Sequence, residues 1–248
     1  MLNSFIAVLD SGIGGISLLK SLTDALPEKR FLYFGDNFNA PYGNKPLSQL
    51  RQITMRNIDF LMQYNLEALV LGCNTLSVNL IDEIFSYSAI PVFGVFPPVE
   101  SACMSGEKVL LLSTCLTAKK YSNQNGVDVL GFVNLAEDIE KNAFCLDEIN
   151  VEKNIKNAYG NFVDKKGYYD TLILGCTHYF FIKNKILDHF CPRKILSGND
   201  FTVKCVKKYF QNNKKLVNHL RNQILFVGDN AKYNEKFLKL SGYKGLKM

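Results

Sequence analysis

The stretches ALVLGCNTLSVN (residues 68–79) and TLILGCTHYFFI (residues 171–182) repeat one phrase: an apolar run, a glycine, a cysteine and a polar pair. A strand-length apolar run that ends on glycine and gives way to helix-opening polar residues reads as a buried strand and its turn. The two cysteines, Cys73 and Cys176, stand 103 residues apart. The same step carries AVLDSGIGG (7–15) onto LLLSTCLTA (110–118), so Asp10 falls on Ser113 and Ser11 on Thr114. Two strand ends with counterparts at one common offset point to duplicated α/β units.

Other apolar runs of strand length are FIAVL (5–9), RFLYF (30–34), IPVFGVF (90–96), KVLLL (108–112), VDVLGFV (127–133), KIL (194–196) and QILFVG (223–228). Stretches of helical length and pattern lie between several of them, such as GISLLKSLTDAL (15–26) and LSQLRQITMRNIDFLMQYN (47–65). Strands alternating with helices predict α/β architecture, with mostly parallel sheets covered on both faces. The 248 residues are long for one compact domain and natural for two. The expected fold is therefore two similar doubly wound α/β domains facing each other across a central cleft, with pseudo-symmetry. IPVFGVFPP, stiffened by Pro91, Pro97 and Pro98, is the candidate crossing between them. Equivalent strand ends would then meet at the cleft, where open α/β sheets bind ligands.

Composition narrows the function classes. With 47% apolar and 21% charged residues the chain can fill real cores, which argues against wholesale disorder. No apolar run approaches the roughly 20 residues that span a bilayer, and the N-terminal MLNSFIAVLDSGIGG lacks the pattern of a signal peptide. The seven cysteines form no C-x-x-C pair, which predicts a reducing, cytoplasmic setting rather than a disulfide framework. The net charge is +6, but the lysines are scattered. Their densest stretch, VKCVKKYFQNNKKLVNHLRNQ (203–223), reads as a solvated helix face, not a nucleic-acid footprint. The expected partner is a small molecule, with neither nucleic acid nor membrane, and an anionic substrate would suit the charge. His178, His189 and His219 form no metal-ligand spacing, so no metal is expected.

The remaining motifs sit at strand ends. LDSGIGGISLL has Ser17 where a dinucleotide fingerprint needs its third glycine, and it lacks the G-K-[ST] of a P-loop. It does set Asp10 and Ser11 beside free backbone N–H groups. YFGDNFNAPYGNKP holds Asp36, Pro41, Tyr42 and Gly43 in a segment of turn formers that can fold over a cleft. Cys73 precedes Asn74 and Thr75, while Cys176 precedes Thr177 and His178. Helix N-termini lower thiol pKa values toward neutrality from about 8.5. A redox pair needs its sulfurs to converge, and a hydrolase needs one nucleophile with one base. Two thiols on opposite cleft walls suit a different task. One can take a proton from one face of a carbon while the other delivers a proton to the opposite face.

The phrases D-S-G-x-G-G (10–15), G-D-x4-P-Y-G (35–43), G-C-N-T (72–75) and G-C-T-H (175–178) together resemble the cofactor-independent glutamate racemases of the aspartate/glutamate racemase family. The resemblance implies two facing α/β domains, the second (96–200) inserted into the first (1–95 plus 201–248). It implies interconversion of L- and D-glutamate, with D-glutamate feeding bacterial peptidoglycan, no cofactor, and a homodimer. Cys73 and Cys176 would be the proton donor/acceptors, Asp10 assisting the first and His178 the second, with Glu137 behind the histidine. Ser11, Pro41, Tyr42, Gly43, Asn74, Thr75, Thr177 and the pair Thr114 and Thr117 match substrate-contact positions, as do Asp10 and His178. This chain departs from the family pattern at Asn39 (commonly Arg), Pro97 (commonly acidic), Ser113 (Gly) and Phe180 (Pro). None of these carries the chemistry. Two alternatives stay open: racemisation of aspartate or another acidic amino acid, and a non-catalytic binding protein on the same scaffold.

Overall fold

A computed structural model describes residues 4–104, 106–159, 166–213 and 223–240. Residues 214–222 of the lysine-rich stretch, including His219, lie outside the described residues. All nine apolar runs are strands: β1 (Phe5–Asp10), β2 (Arg30–Gly35), β3 (Leu66–Leu71), β4 (Val92–Gly94), β5 (Val109–Thr114), β6 (Val127–Phe132), β7 (Thr171–Gly175), β8 (Lys194–Ser197) and β9 (Gln223–Val227). They form two parallel sheets, ordered β4-β3-β1-β2-β9 and β6-β5-β7-β8. Read from the other end, the second order repeats the first four strands of the first.

The repeat extends to register. In the first sheet Ile6 pairs with Ala68 and Leu9 with Leu71; in the second Val109 pairs with Thr171 and Leu112 with Leu174. The outer pair follows the same rule, Leu69 with Val92 against Leu172 with Ile195. Each second-sheet residue is the first-sheet residue advanced by the 103 positions that separate Cys73 from Cys176. Only the β1–β2 crossover breaks the step, since Phe31 opposite Ile6 becomes Val127 opposite Val109, an advance of 96. A step that keeps three strands in register keeps their carboxyl ends, and whatever side chains stand there, in equivalent places.

Helices cover the sheets: α1 (Ile16–Ala25), α2 (Leu47–Leu61), α3 (Asn74–Tyr87), α4 (Val99–Cys103), α5 (Cys115–Tyr121), α6 (Leu135–Lys141), α7 (Val151–Tyr159), α8 (Lys183–Phe190), α9 (Asn199–Asn212) and α10 (Ala231–Leu240). Central strands are buried on both faces, which is why they read as continuous apolar runs rather than alternating ones. The period of two still sorts them. Ile6, Val8, Phe31 and Tyr33 join a core shared with Leu110, Leu112, Leu172 and Leu174 of the second sheet, while Ala7, Leu9, Leu32 and Phe34 face a separate core under α2 and α3. The shared core seats the two units on each other, and each fully buried Leu or Ile in it contributes roughly 1.5–3 kcal/mol. The chain crosses to the second sheet after β4, through the proline segment, and recrosses into α9 and β9. None of the described helices is long and apolar enough to cross a membrane.

Candidate active site

Four strand ends meet at one place: those of β1 and β3, and their register copies β5 and β7. Cys73 is the residue before α3, and Cys176 the residue before a 3-10 turn at Thr177–Ile182. Both are buried, 6% and 7% exposed, at the ends of strands whose bulk is core. Asp10, wholly buried at the end of β1, accepts the Gly12 N–H at 2.8 Å through Oδ1. Its Oδ2 lies 3.4 Å from the donor Thr177 Oγ1, which belongs to the other unit. Thr75 Oγ1, also in the first unit, is 3.0 Å from Thr114 Oγ1 and 3.4 Å from Thr117 Oγ1. The sequence-selected hydroxyls thus converge across the cleft and currently bond one another. Ser11 is buried beside Asp10 in the chain, and Asn74 Oδ1 is buried with no partner.

The loop after β2 closes the other side. Pro41 follows a cis peptide bond and leads into a short 3-10 turn at Tyr42–Asn44. The buried Tyr42 hydroxyl donates to Asp36 Oδ2 at 2.7 Å, and Asn57 Nδ2 donates to the same oxygen at 2.9 Å. Asn39, where arginine is common in the family pattern, folds back so that Nδ2 reaches both Asp36 oxygens at 2.9 Å. Gly43 lies so close to Thr114 that a β-carbon there would overlap the threonine side chain, so glycine is what lets the two units meet. Asp36 and Asn39 stood in the loop motif, whereas Asn57 on α2 gave no sign in the sequence, since it reaches the site only through Asp36 and Tyr42.

On the Cys176 side, His178 Nδ1 stands 3.8 Å from the sulfur and Nε2 is 2.6 Å from Glu140 Oε1. The carboxylate behind the histidine is therefore Glu140, not Glu137. Glu137 points outward from α6 and forms an ion pair with Lys141 at 2.5 Å. The helical period carried the signal: Ala136, Ile139 and Ala143 are buried, and Glu140 shares their face while Glu137 does not. Gly14 makes room for this arrangement, because a β-carbon there would overlap His178 Nδ1 and Thr177 Oγ1.

Burial and charge set the two halves apart. Burial raises the Asp10 carboxyl to about 6, against the lowering effects of His178 and the Gly12 N–H. Burial pushes the Cys73 thiol up to about 12, and the neighbouring Asp10 adds to the rise; N–H groups of Leu76 and Thr75 only partly offset it. The lowered thiol expected at this helix N-terminus is overturned, since desolvation outweighs the peptide dipoles in a closed site. For His178, burial lowers the pKa, yet hydrogen bonds and charges from Cys176 and Glu140 outweigh it and hold the imidazole well above its ordinary range. A positive ring beside one sulfur and a neutral, hard-to-ionise thiol at the other is an acid–base pair with unequal halves. Cys176 across the cleft adds to the rise at Cys73.

Among the described residues no group of three or more His, Cys, Asp or Glu is placed to hold a metal ion. All seven cysteines are free. A cavity of about 810 Å³ lined by Lys20, Phe144, Phe181 and Phe237 lies behind α1 and contains neither thiol. The thiols occupy a closed cleft instead.

No family profile matches the sequence. Individual proteins do. A glutamate racemase of Halothermothrix orenii is 33% identical over 250 residues, covering 94% of this chain and 96% of the relative. One of Clostridium novyi is 31% identical over 251 residues, covering 95% of each. The chain belongs to the glutamate racemase family. A solved glutamate racemase of Thermus thermophilus, in complex with β-chloro-D-alanine, matches this family member with TM-score 0.71 at 28% identity, covering 99% of this chain and 96% of that one. Within the glutamate racemase scaffold two of the remaining departures sit in opposite settings, Phe180 exposed and Ser113 wholly buried beside Thr114. Phe180 is 42% exposed, with Lys183 Nζ 5.8 Å from its ring centre, and Ser113 turns its hydroxyl onto the Thr114 carbonyl.

Proposed function

We propose that this protein interconverts L- and D-glutamate by cofactor-independent two-base proton transfer between Cys73 and Cys176. The observation that carries the reading is the pair of buried thiols at register-equivalent strand ends, each with its own acid–base partner. In one direction the Cys176 sulfur, as thiolate beside the His178 imidazolium, takes the α-proton. Cys73 Sγ–H then delivers its proton to the opposite face, leaving a thiolate that Asp10 and solvent can reprotonate. The reverse direction exchanges the roles. Two features favour an amino acid over other carbon acids. The unpaired Asn74 Oδ1 is a buried acceptor suited to an ammonium group, whose charge also offsets the cost of a thiolate. The hydroxyls of Thr75, Thr114 and Thr117, together with N–H groups at the start of α3, suit a carboxylate that gains charge as the α-proton leaves. Ser11, Tyr42 and Gly43 line the side where a second carboxylate would sit. The family resemblance gives the product its use, as D-glutamate for peptidoglycan.

Aspartate is the discriminating alternative, being one methylene shorter. Polarimetry with each enantiomer is expected to show L- and D-glutamate both decaying to the racemate. With aspartate, kcat/KM should be at least about tenfold lower. Folded protein that leaves glutamate's rotation unchanged would sink the proposal, and a preference for aspartate would reassign the substrate.

A further inference from the structure

Glu140 sits on α6 in the second unit, yet most of what grips its carboxylate comes from the first. The Ile13 N–H donates to Oε1 at 2.6 Å, beside His178 Nε2. Asn37 Nδ2 donates to Oε2 at 3.0 Å. Asn37 is itself held: Asn234 Nδ2, from α10, donates to Asn37 Oδ1 at 2.9 Å and to the Gly35 carbonyl at 3.3 Å. Asn234 is 1% exposed and its own Oδ1 has no partner, a desolvation cost set against the two bonds its Nδ2 donates. One residue earlier, the Tyr233 hydroxyl donates to the Glu140 backbone carbonyl at 2.8 Å. A chain of contacts therefore runs Asn234–Asn37–Glu140–His178–Cys176 from the first unit into the second. The Cys73 half depends on it less, because Asp10 belongs to the same unit as Cys73 and takes a single, longer side-chain bond from the second, Thr177 Oγ1 at 3.4 Å.

We propose that Asn37, braced by Asn234, is a positioning residue for the Cys176 half of the reaction. It fixes the Glu140 carboxylate, and through it His178, only when the two units are seated together. The inference rests on the racemase reading and adds to it. Glu140 orients His178 when both oxygens are engaged. Without Asn37, Oε2 is free and the carboxylate can rotate away from the ring. Asn37 touches none of the site residues that would contact substrate, so its effect falls on the chemical step rather than on binding.

Enantiomers have equal free energies, so kcat/KM must stay equal in the two directions in every variant. The defect is located instead by the isotope effect measured with each α-deuterated enantiomer. Asn37→Ala is expected to lower kcat about tenfold with KM within about twofold of wild type. The deuterium effect on kcat should rise for one enantiomer only. Asn37→Asp keeps the size and the acceptor for Asn234 but sets a carboxylate against Glu140. It should lower kcat about 100-fold, whereas a purely steric role would leave this isostere near wild type. In a Glu140→Gln background, Asn37→Ala should change kcat by less than about twofold, because the two act as one unit. Circular dichroism checks folding. Should the Asn37 variants fold poorly, Asn234→Ala is expected to give the same one-sided isotope effect with a smaller loss of kcat. Near wild-type kcat in Asn37→Asp, or an undiminished effect of Asn37→Ala without Glu140, would overturn the proposal while leaving the racemase reading intact. A wild-type protein that racemises nothing would instead remove that reading, and this inference with it.

Discussion

Replacing Cys73 or Cys176 with alanine is expected to lower glutamate racemisation by at least about 10³-fold while leaving the fold intact. Among the described residues each thiol is alone at its strand end, with no second group of matching position to take over. The packing loss is modest, since each removes a single buried sulfur. The informative residue of activity is half-site exchange. In either variant the surviving thiol still reaches the α-proton of one enantiomer, and after exchange with solvent it returns a deuteron to the same face. Proton NMR in heavy water should therefore show α-hydrogen exchange without inversion, for one enantiomer with Cys73→Ala and for the other with Cys176→Ala. Exchange of the same enantiomer in both variants, or kcat within about tenfold of wild type in either, would mean that the thiols do not face opposite sides of one carbon.

Asp10→Asn is expected to make the protein more stable and less active. The wholly buried carboxyl is raised from 3.8 to about 6. At one pKa unit to 1.36 kcal/mol, keeping it ionised costs about 3 kcal/mol above that pH. The sign follows from the direction. The unfolded chain releases this proton first, so native stability falls as pH rises from about 3.8 to about 6 and stays reduced beyond. The uncharged isostere escapes that penalty and keeps an acceptor for the Gly12 N–H. Denaturant titration should find the variant about 1–3 kcal/mol more stable at pH 7–8, with the difference closing below about pH 4. Racemisation should fall about 100-fold, because Cys73 loses the group that trades protons with it. Equal stability of the two proteins at pH 7 would contradict the buried-charge account. A stabilised variant with full activity would leave Asp10 without a chemical role.

What could be read from the chain, and what could not, divides along a physical line. All nine strands were legible as apolar runs because parallel strands buried on both faces need uninterrupted Val, Ile, Leu and Phe. The register of β3 and β7 was legible as the repeated cysteine phrase, since a fixed offset in sequence is a fixed offset in a repeated sheet. Residues at strand ends, from Asp10 to His178, stood out because polar groups there break an apolar run. Glu140 was missed by one helical turn, although the face shared by Ala136, Ile139 and Ala143 marked it. Asn37, Asn57 and Asn234 carried no signal, since an asparagine in a loop or on a helix declares nothing until its partners are known. Least legible was the state of Cys73. The helix N-terminus argued for an acidic thiol, but burial beside Asp10 wins, and burial is a property of the closed pair of units.

The central claim is that two thiols act from opposite faces of one carbon. The most direct test is to run the wild-type enzyme on one glutamate enantiomer in heavy water and stop it early. Product and remaining substrate are then separated on a chiral column and weighed by mass spectrometry. Two-base transfer predicts that the first product carries one deuterium at the α-carbon, delivered by the opposite thiol, while the remaining substrate still carries its proton. First product retaining the substrate's own proton, or deuterium entering both pools equally from the outset, would mean that one base serves both faces.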